Sequence, residues 1–536
     1  MTEMKPKGWR STDDLMVESA LRRGATRRDL LRMFAASGLA LSAAGSLAAS
    51  ASRAFAETPQ TGGALRVAIG STSTGDTLDP ARARQQADYL RLTTFYNKLV
   101  SLDFNLAPRM ELAESLESDD AKTWVIKVRE GVTFHDGKAL TADDVVYSLN
   151  RHIDPAVGSQ ANALAAQMTS ITKTGPMEVT IELEAGNADL PAVLATYHFC
   201  IIADGTTDFT TANGTGPYIC EVFEPGIRSV AVKNPNYWRE GGYLDSIELF
   251  GIEDRGARAN ALISGDVQLI GSMDQRSARL IEAEDSLKLM ITPGGSYSNL
   301  NIRLDEEPGV QFDFVQGMKH LINREVINRA VLRGYGDLHN DQPVQRANHY
   351  FNEEVVAPEF DPEKAKFHFE KAGMAGAKIP VIASEAAKYS VDMSTIIQQD
   401  AQKAGITLDV QRVPRDGYWS TYWLKAPIHW GNINARPTAD ILFSLLYTSD
   451  AKWNESKFYN ESFDKMAAEA RVELDEAKRK EIYGSMQRMI AEKAGTIIPA
   501  YLSSVDAMSD KVMGIQPHPL GLLQGYDFAE TVWLKA

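Results

Sequence analysis

A segment around residue 430 concentrates side chains that could hold a small polar molecule. Aromatic rings, amides, one arginine and one late aspartate gather between residues 416 and 440, although only 8% of the chain is aromatic. A solute cleft needs apolar walls with a few fixed polar groups, and an arginine can hold a carboxylate through two parallel hydrogen bonds. For any single aromatic the alternative is a place in the core. The candidate contacts are Trp419, Trp423, Trp430, Asn432, Asn434, Arg436 and Asp440.

Motifs for catalysis are missing from the sequence. It has no Gly-x-Ser-x-Gly elbow, no His-Glu-x-x-His helix and no phosphate-binding Gly-Lys loop. His135-Asp136 has the composition of a dyad, but nothing suggests the nucleophile that a catalytic base must reach. We therefore expect a binding protein with no catalytic residues, metal ligands or cofactors. A hydrolase or a substrate-free sensor is the alternative of another class.

The N-terminus and the composition predict an exported, soluble protein. Residues 1–56 contain Arg27-Arg28, an apolar run rich in Ser and Gly, and an Ala-x-Ala pattern before Glu57. These features are typical of a twin-arginine-type signal peptide, which predicts cleavage near Glu57 and location in the periplasm. No cysteine follows the apolar run, so no lipid anchor is expected. A net charge of −15 argues against binding to nucleic acid or to an anionic membrane.

The two cysteines of the chain, Cys200 and Cys220, leave two alternatives open. An oxidising compartment permits a disulfide between them. Free cysteine also packs as a small hydrophobic side chain, so two unbridged buried thiols are equally compatible with the sequence.

Strand and helix signals follow one another along the chain and must position the candidate residues. Period-two alternation indicates strands, while capping residues and apolar periodicity indicate helices. Repeated helix-then-strand units are typical of an α/β fold with mixed sheets. The predicted strands cover residues 65–69, 123–129, 406–410 and 497–501, and the predicted helices begin at Thr141 and Asp361 or cover residues 394–403 and 475–493.

Several segments resemble, in order, the family 5 bacterial extracellular solute-binding proteins. This family includes the dipeptide- and oligopeptide-binding receptors of ABC importers. The resemblance extends over nearly the whole chain after residue 57. It rests on Ala113–Ser118 through Trp124, Lys127–Gly137, Leu140–Ser148, Gly214–Tyr218, Lys233–Trp238, Lys319–Val326 and Asn460–Asp464.

The resemblance implies a type II periplasmic-binding-protein fold of the large form, with two lobes and an extra subdomain. Two crossing strands, near Ser298 and near Ser503, would form the hinge. Lobe one, with the extra subdomain, is expected over residues 57–298 plus 504–536. Lobe two is expected over residues 299–503. Closure of the lobes on a solute would then be a hinge motion.

The implied function is that of a periplasmic receptor that captures a peptide or peptide-like solute and delivers it to a permease. Its expected partners are permease and ATPase subunits, with membrane contact only through the permease, no nucleic acid, and a monomeric state. Cleft walls come from strand ends and from segments between lobes. These positions add the candidate contacts Ser71, Thr72, Ser73, Tyr96, Tyr297 and Asn299.

One departure from the peptide receptors concerns the solute. Those receptors carry an aspartate shortly after the tryptophan that corresponds to Trp430, and this aspartate pairs with the α-amino group of the peptide. Here residues 431–434 contain no acid, Arg436 follows, and the first acid is Asp440. An opine, a modified peptide, a sugar–amino acid conjugate or a metal chelate is therefore an alternative solute.

Overall fold

Alternating apolar residues build the strands of this protein. In the first strand Leu65, Val67 and Ile69 are fully buried, as expected for a strand with one face on a core. The computed structural model describes residues 58–273 and 277–535, so the predicted signal peptide and its cleavage site lie outside the described residues. The strands are β1 (Ala64–Ile69), β2 (Val100–Leu102), β3 (Pro108–Met110), β4 (Ala113–Glu117), β5 (Thr123–Val128), β6 (Met168–Gly175), β7 (Glu178–Leu183), β8 (Tyr218–Glu224), β9 (Arg228–Lys233), β10 (Ser246–Gly251), β11 (Leu269–Ile270), β12 (Leu287–Ile302), β13 (Asp337–Leu338), β14 (Lys378–Ala383), β15 (Thr407–Arg412), β16 (Ile428–Ile433), β17 (Thr496–Ile497), β18 (Ala500–Ser509), β19 (Val512–Met513) and β20 (Trp533–Leu534).

Helices alternate with these strands, as the sequence predicts for an α/β fold. None of the helices in residues 58–273 and 277–535 combines the length and apolar character that a bilayer span needs. The helices are α1 (Gln86–Phe95), α2 (Ala142–Ile153), α3 (Asn162–Ala165), α4 (Leu190–Leu194), α5 (Arg255–Ile263), α6 (Ala278–Glu282), α7 (Phe312–His320), α8 (Arg324–Ala330), α9 (Pro362–Lys371), α10 (Ser390–Lys403), α11 (Tyr418–Thr421), α12 (Ala439–Leu446), α13 (Glu461–Val472) and α14 (Glu476–Lys493).

Predicted caps fix several helix starts. Thr141 and Asp144 form a reciprocal capping box at α2. The side chain of Asp361 accepts hydrogen bonds from the amides of Glu363 and Lys364 at α9, and Asp475 does the same at α14. The helix predicted from Ser394 begins earlier, at Ser390.

One large mixed sheet connects the two ends of the fold. Its strands lie in the order β15-β14-β16-β12-β18-β11-β1-β10-β9-β8, with β13 beside β18 and β17 beside β12. Strand β1 is parallel to β10 and β11, and β14 is parallel to β15 and β16. The antiparallel strands β12 and β18 lie between these two parallel groups. The predicted mixed α/β class is therefore confirmed.

The strands β12 and β18 extend from one parallel group to the other. Residues 287–292 of β12 pair with residues 504–509 of β18, and residues 297–302 pair with β16. The register shifts between Thr292 and Ser296, where Gly294 and Gly295 interrupt the strand. Ser298 and Ser503, the predicted crossing points, lie within these two strands. The lobe limits drawn at those residues stay a prediction.

Separate apolar cores flank the large sheet. One lies among β14, β15, β16 and the helices α7, α9 and α10. Another packs α1 against β1, β8, β9 and β10. A four-stranded antiparallel sheet, β4-β5-β7-β6, has its own core with α2 and carries Trp124, Ile126 and Ile181. This sheet is inserted between β1 and β8 in the sequence.

Two expectations require correction. The strand predicted over residues 497–501 is interrupted at Pro499, which has no N–H to donate to a ladder, so β17 ends at Ile497 and β18 begins at Ala500. Cys200 and Cys220 are free thiols. The disulfide alternative is therefore wrong for this structure, in which the Cys200 thiol donates to the Tyr197 carbonyl oxygen at 3.1 Å.

Candidate functional site

Three tyrosines from distant segments form one aromatic wall. Tyr89 lies on α1, Tyr197 in a short 3₁₀ turn, and Tyr526 near the C-terminus. The Tyr89 and Tyr197 rings stack with centroids 3.8 Å apart, and Tyr526 meets them edge-on at 5.5 and 5.8 Å. All three side chains are half-buried. The wall therefore keeps a solvent-facing side on which a solute could pack.

A left-handed turn holds Tyr526 in this wall. Leu523, Gln524, Gly525 and Tyr526 all have positive φ, between 46° and 74°. The amide of Leu523 donates to the buried carboxylate of Asp506 at 2.7 Å. Left-handed backbone in residues other than glycine costs free energy and concentrates at functional sites.

Arg436 faces the same region from the segment after β16. Tyr197 and Tyr297 are the neighbours that act electrostatically on its guanidinium, and the Trp453 ring centroid lies 6.0 Å away. Burial lowers the pKa of Arg436, and the two tyrosines oppose this effect. Its hydrogen bond to the Ala435 carbonyl oxygen is long, at 3.5 Å. Within the described part of the chain this half-buried cation has no carboxylate partner.

The tryptophans predicted as contacts occupy different environments. Trp430 is fully buried, its indole N–H donates to Ser394 Oγ at 2.8 Å, and its backbone amide and carbonyl both bind the Tyr418 hydroxyl. Trp423 is half-buried and packs edge-on against Trp419 and Trp453. Trp419 has 41% of its surface exposed. Trp430 therefore belongs to the core, while Trp419 and Trp423 are accessible.

The amides predicted beside Trp430 are accessible to different degrees. Asn432 is half-buried, and its side-chain oxygen accepts a hydrogen bond of 3.4 Å from the Lys388 amide. Asn434 is exposed. Both lie at the end of β16, so their remaining donors and acceptors are available to a solute.

Asp440 already has a partner inside the protein. It lies in the first turn of α12, is buried, and pairs with Arg471 at 3.3 Å. Burial raises the pKa of its carboxyl, and Arg471 counteracts this rise. The pair leaves Asp440 poorly placed to anchor a solute.

Three position-based candidates are core residues. Tyr96 is 2% exposed, and its hydroxyl donates to the Leu78 carbonyl oxygen. Tyr297 is fully buried against Tyr501, with ring centroids 5.1 Å apart. Asn299 is buried and donates to Glu455 at 2.6 Å. These three side chains are therefore buried parts of the structure around the candidate site and are not accessible to a solute.

The loop after β1 is rigid, with two accessible hydroxyl residues. Thr72 is buried and donates to Asp76 at 2.6 Å, and Asp76 also receives a hydrogen bond from the Ser73 amide and pairs with Arg91. Ser71 is exposed and has a φ of 54°, while Ser73 is half-buried. Ser71 and Ser73 are the members of this group that can contact a solute.

A buried carboxyl lies beneath the end of β16. Glu455 is 4% exposed and accepts hydrogen bonds from Asn299 at 2.6 Å and from the Trp423 indole at 2.5 Å. Burial raises the pKa of Glu455 to about 7. A Cβ atom at Gly431 would collide with its carboxylate. The missing side chain at Gly431 is therefore what makes room for this carboxyl.

An ion pair connects a segment that precedes β12 in the sequence with one that follows it. Asp189, at the start of α4, lies 3.1 Å from Arg479 of α14, whose Nε donates to the Tyr350 hydroxyl at 2.6 Å. Both charged side chains are buried. Nearby, the Ala188 amide donates to the Arg471 carbonyl oxygen at 2.8 Å.

A cavity of about 450 Å³ lies beside the irregular part of β12. Ile291, Gly294 and Ser503 of the crossing strands line it together with Tyr335 and Arg346. None of the predicted contact residues lines this cavity, so it is distinct from the region between the tyrosine wall and Arg436.

Comparison with known proteins identifies the family. The model of the bacterial extracellular solute-binding proteins, family 5 Middle, matches residues 107–455. The chain belongs to this family. It is a family 5 solute-binding protein, and the family is one of binding proteins rather than enzymes.

Individual relatives agree with this assignment. The dipeptide-binding protein of Escherichia coli K12 is 25% identical over 472 residues, covering 80% of this chain and 87% of the relative. The glutathione-binding protein GsiB of Escherichia coli O6:K15:H31 is 25% identical over 468 residues, covering 84% and 91%. The solved structure of HbpA2 from Haemophilus parasuis has a TM-score of 0.81 at 20% identity, covering 88% and 100%. The likeness to this structure supports the two-lobed fold.

Sequence reasoning did not find several residues of the candidate site. Tyr89, Tyr197 and Tyr526 belong to segments far apart along the chain, so no local pattern marks them as one wall. Glu455 follows no strand signal, and nothing in its local sequence, which includes Lys452 and Lys457, marks it as a buried carboxyl. The one local sequence signal for the wall is the pair Gly525-Tyr526, because the glycine favours a tight turn that would fix the position of the neighbouring tyrosine.

Proposed function

We propose that this chain is the receptor subunit of an ABC importer and captures a peptide or peptide-like solute between two lobes. The observation that carries the proposal is the arrangement of Arg436 opposite the tyrosine wall, on segments that β12 and β18 connect. Two relatives, a dipeptide-binding protein and a glutathione-binding protein, support this solute class. The lobes would comprise residues 57–298 plus 504–536 and residues 299–503.

The accessible members of the predicted set are the proposed solute contacts. Arg436 would hold a carboxylate or another oxyanion, since a guanidinium offers two parallel donors. Ser71, Ser73, Asn432 and Asn434 would supply further hydrogen bonds. Trp419 and Trp423 would add apolar area at small entropic cost.

The proposed transport role requires an export signal and partner subunits. The signal-like segment over residues 1–56 supports export to the periplasm through a twin-arginine route. Permease and ATPase subunits would then take over the solute from a monomeric receptor, which carries out no chemistry itself. Such a receptor needs to bind the solute, close its lobes around it and release it to the permease.

The test measures solute-linked stability of the protein purified from the periplasm of its expression host. The panel contains dipeptides, N-acetylated dipeptides, opines, sugar–amino acid conjugates and metal chelates. A binder at about 100 times its Kd adds about 2.7 kcal/mol to the free energy of unfolding. Small-angle scattering of the same samples reports whether the solute reduces the radius of gyration.

The variant Arg436→Gln should weaken the stabilisation by the binding solute. Arg488→Gln is the matched control, because Arg488 is exposed and pairs with Glu354 on the surface. If no solute changes either the thermal midpoint or the radius of gyration, the receptor proposal fails. A substrate-free sensor would then explain the scaffold.

A further inference from the structure

The cavity beside the irregular part of β12 contains a buried amide without a hydrogen-bond partner. Gln345 lines this cavity of about 450 Å³, and only 5% of its surface is exposed. None of the residues that the structure describes forms a hydrogen bond with its side chain. Buried polar side chains are nearly always hydrogen-bonded, because leaving one unsatisfied costs the free energy of its desolvation. The free donor and acceptor of Gln345 therefore indicate a partner that lies in the cavity.

A glycine of β12 gives this amide its place. A Cβ atom at Gly295 would lie 2.8 Å from Gln345 Nε2 and 3.1 Å from its Oε1. The backbone of Gln345 is held as well, because its carbonyl oxygen accepts a hydrogen bond of 2.9 Å from the Asn348 amide. The amide of Gln345 therefore lies directly against Gly295, in space that a side chain at that position would fill.

A second polar group reaches the cavity from β18. Ser503 is half-buried, and its hydroxyl forms no hydrogen bond with any residue in the described part of the chain. It lies opposite residues 293–295 of β12, where the register between the two strands shifts. Gln345 and Ser503 thus offer hydrogen-bonding groups from two separate segments, and a few such groups are what orients a small ligand.

The charged residues of the cavity compensate each other. Asp337 and Arg346 both line it, and Arg346 Nε lies 3.6 Å from Asp337 Oδ1. The guanidinium of Arg346 also packs on the Phe351 ring, 5.1 Å from the ring centroid. Because the two charges are paired, neither is left to compensate the charge of an ion that loses its water in the cavity. A neutral ligand therefore suits this cavity better than an ion.

Apolar surfaces complete the walls of the cavity. Ile291 and Pro293 of β12 line it together with Tyr335 and Ala347. The ring of Tyr335 is fixed, since its hydroxyl donates to Glu282 at 3.2 Å. Sites for small molecules combine apolar walls with few polar groups and have volumes of about 300–1,000 Å³. The cavity has both properties.

We infer that this cavity is a second binding site, which takes a small neutral molecule with one amide group and an apolar body. The amide of the ligand would both donate to and accept from Gln345, since each amide offers a donor and an acceptor. The apolar body would lie against Ile291, Pro293 and Tyr335. The residues of this site are not among the proposed solute contacts, so the inference does not depend on the proposed receptor function.

Three probes of similar shape test the class of ligand. Benzamide has the amide, acetophenone keeps the carbonyl oxygen but has no N–H, and benzoate carries a charge. Ligand-observed NMR on the purified protein without solute should give benzamide a Kd about tenfold lower than that of acetophenone or benzoate, because only benzamide satisfies both groups of the Gln345 amide.

Variants assign the binding to the cavity. Gln345→Met keeps the length of the side chain without the amide and should remove the preference for benzamide over acetophenone. Gly295→Ala should weaken benzamide binding about tenfold, because its Cβ atom displaces the amide of Gln345. Gln402→Met is the matched control, because Gln402 is exposed on α10. Circular dichroism and the thermal midpoint verify that each variant folds.

Each outcome decides the inference. A preference for benzamide that both cavity variants lose and the control keeps supports the second site. Equal Kd values for the three probes, a preference that survives Gln345→Met, or no binding of benzamide at about 10 mM overturns it. The receptor proposal stands in each of these cases, since the solute panel and Arg436→Gln test it at other residues.

Discussion

At the scale of single residues, Glu455 is a carboxyl buried without a cation. Burial destabilises the charged form more than the hydrogen bonds from Asn299, Trp423 and Asn301 stabilise it, and the pKa rises to about 7. Asn299 Oδ1 is buried without a donor. A proton on Glu455 could supply one, so the neutral carboxyl is better matched to this environment than the carboxylate.

The free energy of unfolding should therefore fall between about pH 4.5 and pH 7. The native carboxyl binds its proton more tightly than the unfolded one, so this stabilisation is complete below the ordinary pKa of 4.5 and is lost as the pH rises through about 7. The difference corresponds to about 3 kcal/mol. Glu455→Gln should flatten this dependence and leave the variant more stable than the natural protein at pH 8, which urea unfolding at several pH values measures.

Asp506→Asn is the contrasting variant. Asp506 is also buried, with its pKa raised to about 6, but its two oxygens accept the amides of Leu523 and Ser272. An asparagine can accept only one of these hydrogen bonds, so this substitution should destabilise at every pH. If Glu455→Gln were equally destabilising at pH 8, the carboxylate would be the required form.

Residue chemistry was only partly predictable from the sequence. Arg436 is a candidate from the sequence because its segment is rich in aromatics and amides, and it stays a prediction. Trp430 and Asn299 are of types that suit a cleft, yet burial and internal hydrogen bonds occupy them. Composition indicates which groups could bind a solute, but exposure depends on packing between segments far apart in the chain.

At the scale of elements, the left-handed turn before Tyr526 positions the aromatic wall. Gly525 has a φ of 67°, and a Cβ atom there would lie 2.8 Å from His518 Nδ1. Gly265 offers a matched comparison, because its φ is 80° and no atom lies within 4 Å of its Cβ position. Both sites carry the backbone cost of an L-residue, but only the first adds a collision.

Gly265→Ala should cost about 1 kcal/mol of unfolding free energy, the ordinary penalty for this backbone region. Gly525→Ala should cost more and should also weaken binding of the solute that stabilises the natural protein, because the turn must shift and Tyr526 shifts with it. Chemical unfolding and titration calorimetry measure both quantities. Equal losses in the two variants, with unchanged affinity, would show that the turn does not position the wall.

Elements themselves were more predictable than their partners. Capping residues gave the starts of α2, α9 and α14, since these signals are local. The break at Pro499 was missed because the apolar run on both sides of it resembles one strand. Which strands pair, and the long path of β12 and β18 through the sheet, depend on contacts between residues hundreds of positions apart.

At the scale of the whole molecule, an acidic protein contains a cationic site. The net charge of −15 opposes anions at long range, but salt screens exposed charges over about 8–10 Å. Arg436, which has no carboxylate partner among the described residues, acts on a bound solute at contact distance, where its own field dominates. The overall charge therefore argues against polyanionic partners such as nucleic acid but is compatible with a small anionic solute.

Closure of the lobes should depend on the ion pair between Asp189 and Arg479. Both side chains are buried, and Asp189 precedes β12 whereas Arg479 follows it, so under the proposed lobe division the pair forms only when the lobes are close together. Asp189→Asn removes the charge that compensates Arg479 and should favour an open arrangement. A receptor that is less often closed binds its solute with a proportionally higher apparent Kd, here about tenfold.

Small-angle scattering should show a larger radius of gyration for Asp189→Asn without solute. The control Asp313→Asn should behave as the natural protein does, because its partners His368 and Lys371 lie in the same proposed lobe. An unchanged radius and affinity in Asp189→Asn would mean that the solute alone holds the lobes together.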